Sequence, residues 1–366
     1  MPTEPNLTRR EFITTAGVAV LATALPSVAR AEPGARLTLG LVGAAHIHTP
    51  GYVKILKGRA DVAVKSVWDH DAARAGKWAA ELGARVVAGP GDILSDPEIS
   101  GVVICSETNR HHDLVLAAAK AGKHMFVEKP LGITGRESLE MAAAIEGARL
   151  IFTTGYFMRT DAKHIFLREQ VARGNFGKIT RVRGSNCHNG SLGRWFDTEW
   201  RWMADPRISG VGAFGDLGTH KLDILMWIMG APESATAVIR PVTGNYGDCD
   251  ETGEALIKFG NGVIGTLAAG WVDIEDPVKL LISGTEGHAV IINDHLYYNS
   301  ARAGAKSSEP YLKLPAEPKA PMNQFLAALA GSADQPLVTP GEAAARVVAM
   351  EAMYRGAREN AWVKVG

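Results

Sequence analysis

The chain has 366 residues, and its 39 basic side chains balance 39 acidic ones. That balance excludes a broad cationic field for nucleic acid, and no second apolar segment beyond the N-terminal one points to a membrane anchor. Three widely spaced cysteines, Cys105, Cys187 and Cys249, exclude a disulfide framework and a cysteine zinc site and read as small buried or neutral residues.

The N-terminus carries an address. Thr8-Arg9-Arg10-Glu11-Phe12 is a twin-arginine pattern, followed by a weakly apolar run from Ile13 to Ser27 and a small-x-small site at Ala29-Arg30-Ala31. The run is too short to span a bilayer, and Gly17 and Pro26 interrupt it. Residues 1–31 therefore read as a twin-arginine signal cleaved before Glu32, with a periplasmic or secreted destination.

From Leu37 to about Phe152 short apolar runs alternate with helical patterns. The expected strands are Leu37 to Val42, Val62 to Trp68, Val102 to Cys105 and His124 to Val127. The expected helices are Gly51 to Lys57, Ala72 to Leu82 and Asp113 to Ala121. Such alternation predicts a parallel sheet with helices on both faces, and ligands then bind at the carboxyl ends of the strands. The residues at those ends are Gly43, Asp69, Ser106-Glu107-Thr108-Asn109, with His111 just beyond, and Glu128-Lys129-Pro130.

Beyond Phe152 a helix from about Asp161 to Arg173 precedes a strand from Ile179 to Gly184 and a second helix near Thr219 to Met229. Strands follow at Ser234 to Pro241, Thr252 to Phe259, Val263 to Trp271, Val278 to Gly284 and Ala289 to Asn293. With turns such as Gly260-Asn261-Gly262 between them they read as a largely antiparallel sheet. One face of that sheet needs cover, from another domain or from a partner in a dimer or tetramer. A helix from about Pro340 to Arg358 packs back on the body. The expected division is signal 1–31, dinucleotide-binding domain 32–153 and substrate and oligomerisation domain 154–366, an α/β architecture throughout.

The first strand runs into Gly43-Ala44-Ala45-His46-Ile47-His48, where a dinucleotide fingerprint has Gly-x-Gly-x-x-Gly. Ala45 adds one methyl where the pyrophosphate approaches, a tolerable change. His48 replaces the glycine that allows tight helix–strand packing and moves the helix start outward. The helix N-terminus and its free N–H groups are expected to keep most of the anion attraction. Asp69 can accept from the adenosine ribose, which favours NAD over NADP, although Arg74 nearby weakens that preference. His46 or His48 is expected at the nicotinamide end of the cleft. No third ligand with a recognisable spacing accompanies them, so no metal is expected.

Three stretches, "LGLVGAAHIH", "FVEKPLG" (Phe126 to Gly132) and "GDLGTHKLD" (Gly215 to Asp223), together resemble the glucose–fructose oxidoreductase and inositol dehydrogenase family over nearly all of the mature chain. The resemblance implies a dinucleotide domain joined to an open-sheet domain, a sugar site between them, and Lys129, Asp216 and His220 as the catalytic set. It also suggests a cis bond between Lys129 and Pro130, directing the lysine into the cleft.

The chemistry agrees. Oxidising a carbinol removes a hydride from carbon and a proton from oxygen, and a placed base must take that proton. Histidine can do so near neutrality. Asp216 and His220 stand four apart on one helix face, where the carboxylate orients the imidazole or holds a substrate hydroxyl. Lys129 can donate to the same oxygen. Tyr156, Arg159, His188 and Trp202 are candidates for sugar contacts, with Lys163, Asn189, Trp195 and Trp200 near them in the sequence. Core packing competes as the role of at least one of the tryptophans.

An exported enzyme using NAD(P) has no free pool outside the cytoplasm, so it would bind its cofactor tightly and recycle it. Three readings stay open: an oxidoreductase acting on a sugar or polyol, an NAD-dependent glycosidase or epimerase using the same three residues, and a non-catalytic sugar-binding protein on the same scaffold.

Overall fold

The computed structural model describes residues 36–306 and 308–366, so the expected export signal lies outside the described residues. The first sheet holds β1 (Leu37–Ala44), β2 (Val62–Trp68), β3 (Arg85–Val86), β4 (Gly101–Cys105), β5 (His124–Val127) and β6 (Phe152–Thr154). All pairings are parallel, in the order β3-β2-β1-β4-β5-β6. β1, β4 and β5 are almost wholly buried because helices cover both faces, which is why they read as continuous apolar runs. The chain reverses its direction of travel between β1 and β4, and the cleft at their carboxyl ends is where such a sheet takes a ligand.

The second sheet holds β7 (Ile179–Cys187), β8 (Pro232–Arg240), β9 (Thr252–Phe259), β10 (Ile264–Gly270), β11 (Val278–Gly284), β12 (Gly287–Ile292), β13 (His295–Ser300) and β14 (Val363–Lys364). Its order is β13-β12-β11-β7-β10-β9-β8-β14, antiparallel except for the parallel pair β7 and β10. β9 alternates buried and open positions as a one-sided strand should. On the open face Val238, Leu256 and Ile264 are exposed. The other face carries helix Ala213–Met229, which is buried at every position but Trp227. This helix starts six residues ahead of the expected Thr219, so Asp216 and His220 fall in its first turns.

The expected boundary at 153/154 falls inside β6, and the chain beyond it does not stay in the second domain. Met322, Phe325, Leu326 and Leu329 of helix Pro321–Leu329 join the core under β1, β4 and β5. Helix Pro340–Glu359 gives Ala343, Ala344 and Val347 to the opposite face of the first sheet and Ala349, Met350 and Met353 to the second domain. Its start is fixed by a capping box between Thr339 and Glu342. The reason is supply: the first sheet needs apolar cover on both faces, and the segment before residue 154 does not provide all of it.

Candidate active site

The site is assembled where the carboxyl ends of β1, β4 and β5 meet helix Ala213–Met229. Gly43 turns the chain out of β1 with φ +77°, and a Cβ there would lie 2.7 Å from Ser106 Cα and 2.9 Å from its backbone nitrogen. Only glycine meets both demands. The helix that follows runs Thr49–Lys57, starting two residues ahead of the expected Gly51, with His48 as the residue before its first turn.

The loop offers fewer N–H groups than expected. Pro50 has none, Thr49 N–H donates to His46 O, and Gly51 and Tyr52 N–H donate to His48 O. Ala44 N–H donates to Asp69 (2.7 Å) and His46 N–H to Cys105 O (3.0 Å). The backbone N–H groups of Ala45 and Ile47 are the two in this loop without a partner among the described residues. They, with the helix dipole, are what an anionic pyrophosphate would meet.

Asp69 follows β2 as expected, but its carboxylate is already engaged. Arg74 donates to both oxygens at 2.8 and 2.7 Å, and the Ala44 and Asp71 N–H groups also donate to it. Arg74 reaches Glu107 as well, at 2.8 Å. A ribose would share this carboxylate with a guanidinium. Ser106 and Thr108 are buried beside the cleft and Asn109 is exposed. His111, expected at the cofactor, is fully buried, with its ring nitrogens against the carbonyls of Ser106, Pro130 and Leu131. It ties the 106 turn to the 130 turn and does not line the cleft.

The Lys129–Pro130 bond is cis. Lys129 Nζ donates to Asp216 Oδ1 at 2.8 Å across the two domains, and Trp271 Nε1 donates to Asp216 Oδ2 at 3.3 Å. Burial pushes the Asp216 carboxyl up, but the Lys129 ammonium outweighs it and holds the group at about 2. Asp216 therefore orients Lys129. The expected Asp216–His220 contact is absent: Asp216 is engaged by Lys129 and Trp271, and the His220 Nδ1 is buried without a partner. The His220 ring is held by Phe157 (centroids 4.8 Å apart), Tyr156 (6.0 Å) and His48 (6.3 Å). Burial, then the charge of Lys129, hold its pKa well below the ordinary histidine value. The imidazole is neutral at pH 7 and able to accept a proton.

Glu128 is sealed from solvent behind Lys129. Its Oε1 takes the Tyr52 hydroxyl and pairs with His48 Nδ1 at 3.1 Å, and its Oε2 takes the Lys129 N–H at 2.8 Å. His46 Nδ1 lies 3.9 Å from Oε2, and burial lowers the His46 pKa to about 3. Glu128 is thus a support for the two histidines and Lys129.

Several expected sugar contacts have other work. Arg159 makes a bidentate pair with Asp223 (2.8 and 2.7 Å) and reaches Glu342 at 3.0 Å, while Arg346 shares Asp223 at 2.8 Å. This buried ion cluster joins the segment after β6 to both long helices. Tyr156 is buried and hydrogen-bonds Thr219 at 2.9 Å behind His220. Trp202 donates Nε1 to Ala45 O at 3.2 Å, tying the second domain to the loop after β1. Lys163 pairs with Asp161 at 3.1 Å. His188 stacks on Trp195 with centroids 4.7 Å apart, and burial lowers its pKa against the opposing charge of Asp216. Sequence reasoning missed Tyr52, Trp271 and Lys221. Lys221 is buried beside His220 with its pKa lowered by burial to about 8, and Gly184 clears the space for its stem.

Comparison with known proteins meets this geometry. Residues 37–156 match the model of an oxidoreductase family with an NAD-binding Rossmann fold, and residues 164–290 match the GFO/IDH/MocA C-terminal domain. Levoglucosan dehydrogenase from Pseudarthrobacter phenanthrenivorans is 29% identical over 222 residues, 54% of this chain and 56% of that protein. The chain thus aligns with little more than half the length of that relative. Myo-inositol 2-dehydrogenase from Thermotoga maritima is 28% identical over 63% of this chain and 67% of its own. In fold, levoglucosan dehydrogenase in complex with NADH and levoglucosan superposes with a TM-score of 0.73 at 22% identity, covering 90% of this chain and 99% of that one.

Proposed function

This chain belongs to the GFO/IDH/MocA oxidoreductase family, and we propose that it oxidises a carbinol of a sugar or polyol with NAD. The observation that carries the reading is the buried Lys129–Asp216 pair standing with a neutral His220 at the carboxyl edge of an NAD-binding sheet. Bound there, the cofactor supplies the hydride acceptor. His220 takes the hydroxyl proton, and Lys129, held by Asp216, donates a hydrogen bond to the oxygen as alkoxide character develops. His188 and Trp195 offer a partly open polar and aromatic wall for the sugar. NAD is favoured over NADP because a 2′-phosphate would meet the Asp69 and Glu107 carboxylates, with Arg74 already committed to both.

The twin-arginine pattern at Arg9-Arg10 supports export, and the exposed apolar side chains on the open face of the second sheet support a homo-oligomer formed through it. Among the described residues no helix is long and apolar enough to cross a membrane. The deciding experiment is to denature protein made in an export-competent host and identify the released dinucleotide. NAD(H) is expected; no dinucleotide, with no binding on titration, overturns the reading. A panel of polyols, sugars and aryl glycosides then separates net oxidation from redox-neutral epimerisation or glycoside cleavage.

A further inference from the structure

The altered glycine loop brings together three side chains of one kind of chemistry. His46 and His48 alternate along the loop after β1, and Glu128 comes from the end of β5, 80 residues further on. One ligand atom from each lies within 4.8 Å of the others. His48 Nδ1 stands 3.1 Å from Glu128 Oε1, and His46 Nδ1 3.9 Å from Oε2. Ligand atoms about 2.0–2.1 Å from a tetrahedral zinc-type ion are about 3.3 Å apart, so the two histidine–carboxylate separations bracket what such an ion needs, and His46 Nδ1 would exchange the His48 N–H it now accepts at 3.2 Å for the metal.

We propose that His46, His48 and Glu128 form a binding site for one divalent transition-metal ion. Two imidazoles and a carboxylate are the ligand set of open zinc and non-haem iron sites, which keep at least one position for a small molecule. Three further observations agree. Tyr52 hydroxyl and Lys129 N–H fix the Glu128 carboxylate, as partners of a metal-bound carboxylate do. Gly155 leaves the room this cluster occupies, since a Cβ there would lie 2.9 Å from both Glu128 Oε1 and the Tyr52 hydroxyl. The Lys129 ammonium pairs with Asp216, and the buried Glu128 has no Lys or Arg side chain paired with it among the described residues, so a divalent cation would offset its charge. The ion would stand beside the residues assigned to the carbinol, because Lys129 follows Glu128 in the chain and the His48 and His220 rings are 6.3 Å apart.

The site does not depend on the oxidoreductase reading, and its test needs no turnover. Tag-free full-length protein, cleared of metal by chelator dialysis and with no dinucleotide added, is titrated with cobalt(II). One equivalent per chain is expected, with visible absorption of a four- or five-coordinate ion, displaced by zinc. His48→Asn, at a partly exposed position where folding is not at risk, should weaken binding about 10- to 100-fold, and His46→Asn and Glu128→Gln likewise. Circular dichroism checks that each variant is folded. Binding that is absent, or equal in wild type and folded His48→Asn, overturns the site. Dinucleotide titration of the same samples shows separately whether the NAD reading stands.

Discussion

Asp216→Asn tests the link between the two domains and the chemistry at once. In the folded protein the carboxyl is held at about 2, from an ordinary value of 3.8, against the penalty of its own burial. One pKa unit is about 1.4 kcal/mol, so the charged form contributes about 2 kcal/mol to stability at neutral pH. The sign follows from the depressed value. The contribution is complete above the unfolded value near 4, falls to about half by pH 3, and vanishes as pH drops below 2. The amide keeps the shape but not the charge, and it leaves Lys129 without its counter-ion. Urea unfolding of wild type and variant at pH 7 and pH 3 should show a gap of about 2 kcal/mol that narrows at the lower pH. Turnover on the best sugar should fall about 100- to 1000-fold, since Lys129 is no longer held toward the oxygen. A variant as stable as wild type at pH 7, or a gap equal at both pH values, would refute the assignment of Asp216 as the charge that holds Lys129.

His220→Ala should lower turnover about 100- to 10,000-fold and remove the acid limb of the pH–rate profile. That limb lies below pH 6.5 because the folded imidazole is depressed and activity falls only as pH drops through that value; an unchanged limb would assign the base elsewhere. Asp69→Ala should weaken NAD and narrow its preference over NADP, read by fluorescence titration with each dinucleotide, because the variant removes negative charge and frees Arg74. Gly43→Ala should cost about 2 kcal/mol or more, since φ is +77° and Ser106 backbone stands in the way. Gly51→Ala, in a helix with nothing within 4 Å, should be neutral or stabilise by up to about 1 kcal/mol; chemical denaturation of the pair measures both.

The parts of the fold that were legible are those with a local cause. β2 and β5 fall where their apolar runs predict, and helix Ala72–Leu82 keeps its expected bounds because Asp71 caps its start and Gly83 ends it in the left-handed region. β13, helix Gly135–Gly147 and helix Pro321–Leu329 passed unread. Leu296 and Tyr298 alternate too briefly to mark a strand, and the two helices take their stability from distant cover. In the site, Lys129, Asp216 and His220 were legible from residue type and spacing, but their partners were not. That Asp216 serves Lys129, that Arg159 is consumed by Asp223, and that Glu128 completes a trio with His46 and His48 are contacts across 64 to 87 residues. No local pattern encodes them.

The return of helix Pro321–Leu329 beneath the first sheet sets the order in which this protein can be finished. The strands that receive it are complete at Thr154, yet the residues that seal Leu39, Val103 and Phe126 are made about 170 residues later. At ordinary elongation rates that is a delay of about 10–30 s. Throughout it that face of the nucleotide sheet is only partly covered, by side chains such as Val53 and Trp78 of the two local helices, so the first unit to emerge stays open long after its strands are made. A fragment ending after β6 should be insoluble, and cofactor capture becomes a post-synthetic event. Circular permutants that bring residues 321–359 ahead of β1 would shorten the exposure and so relieve any demand for chaperones.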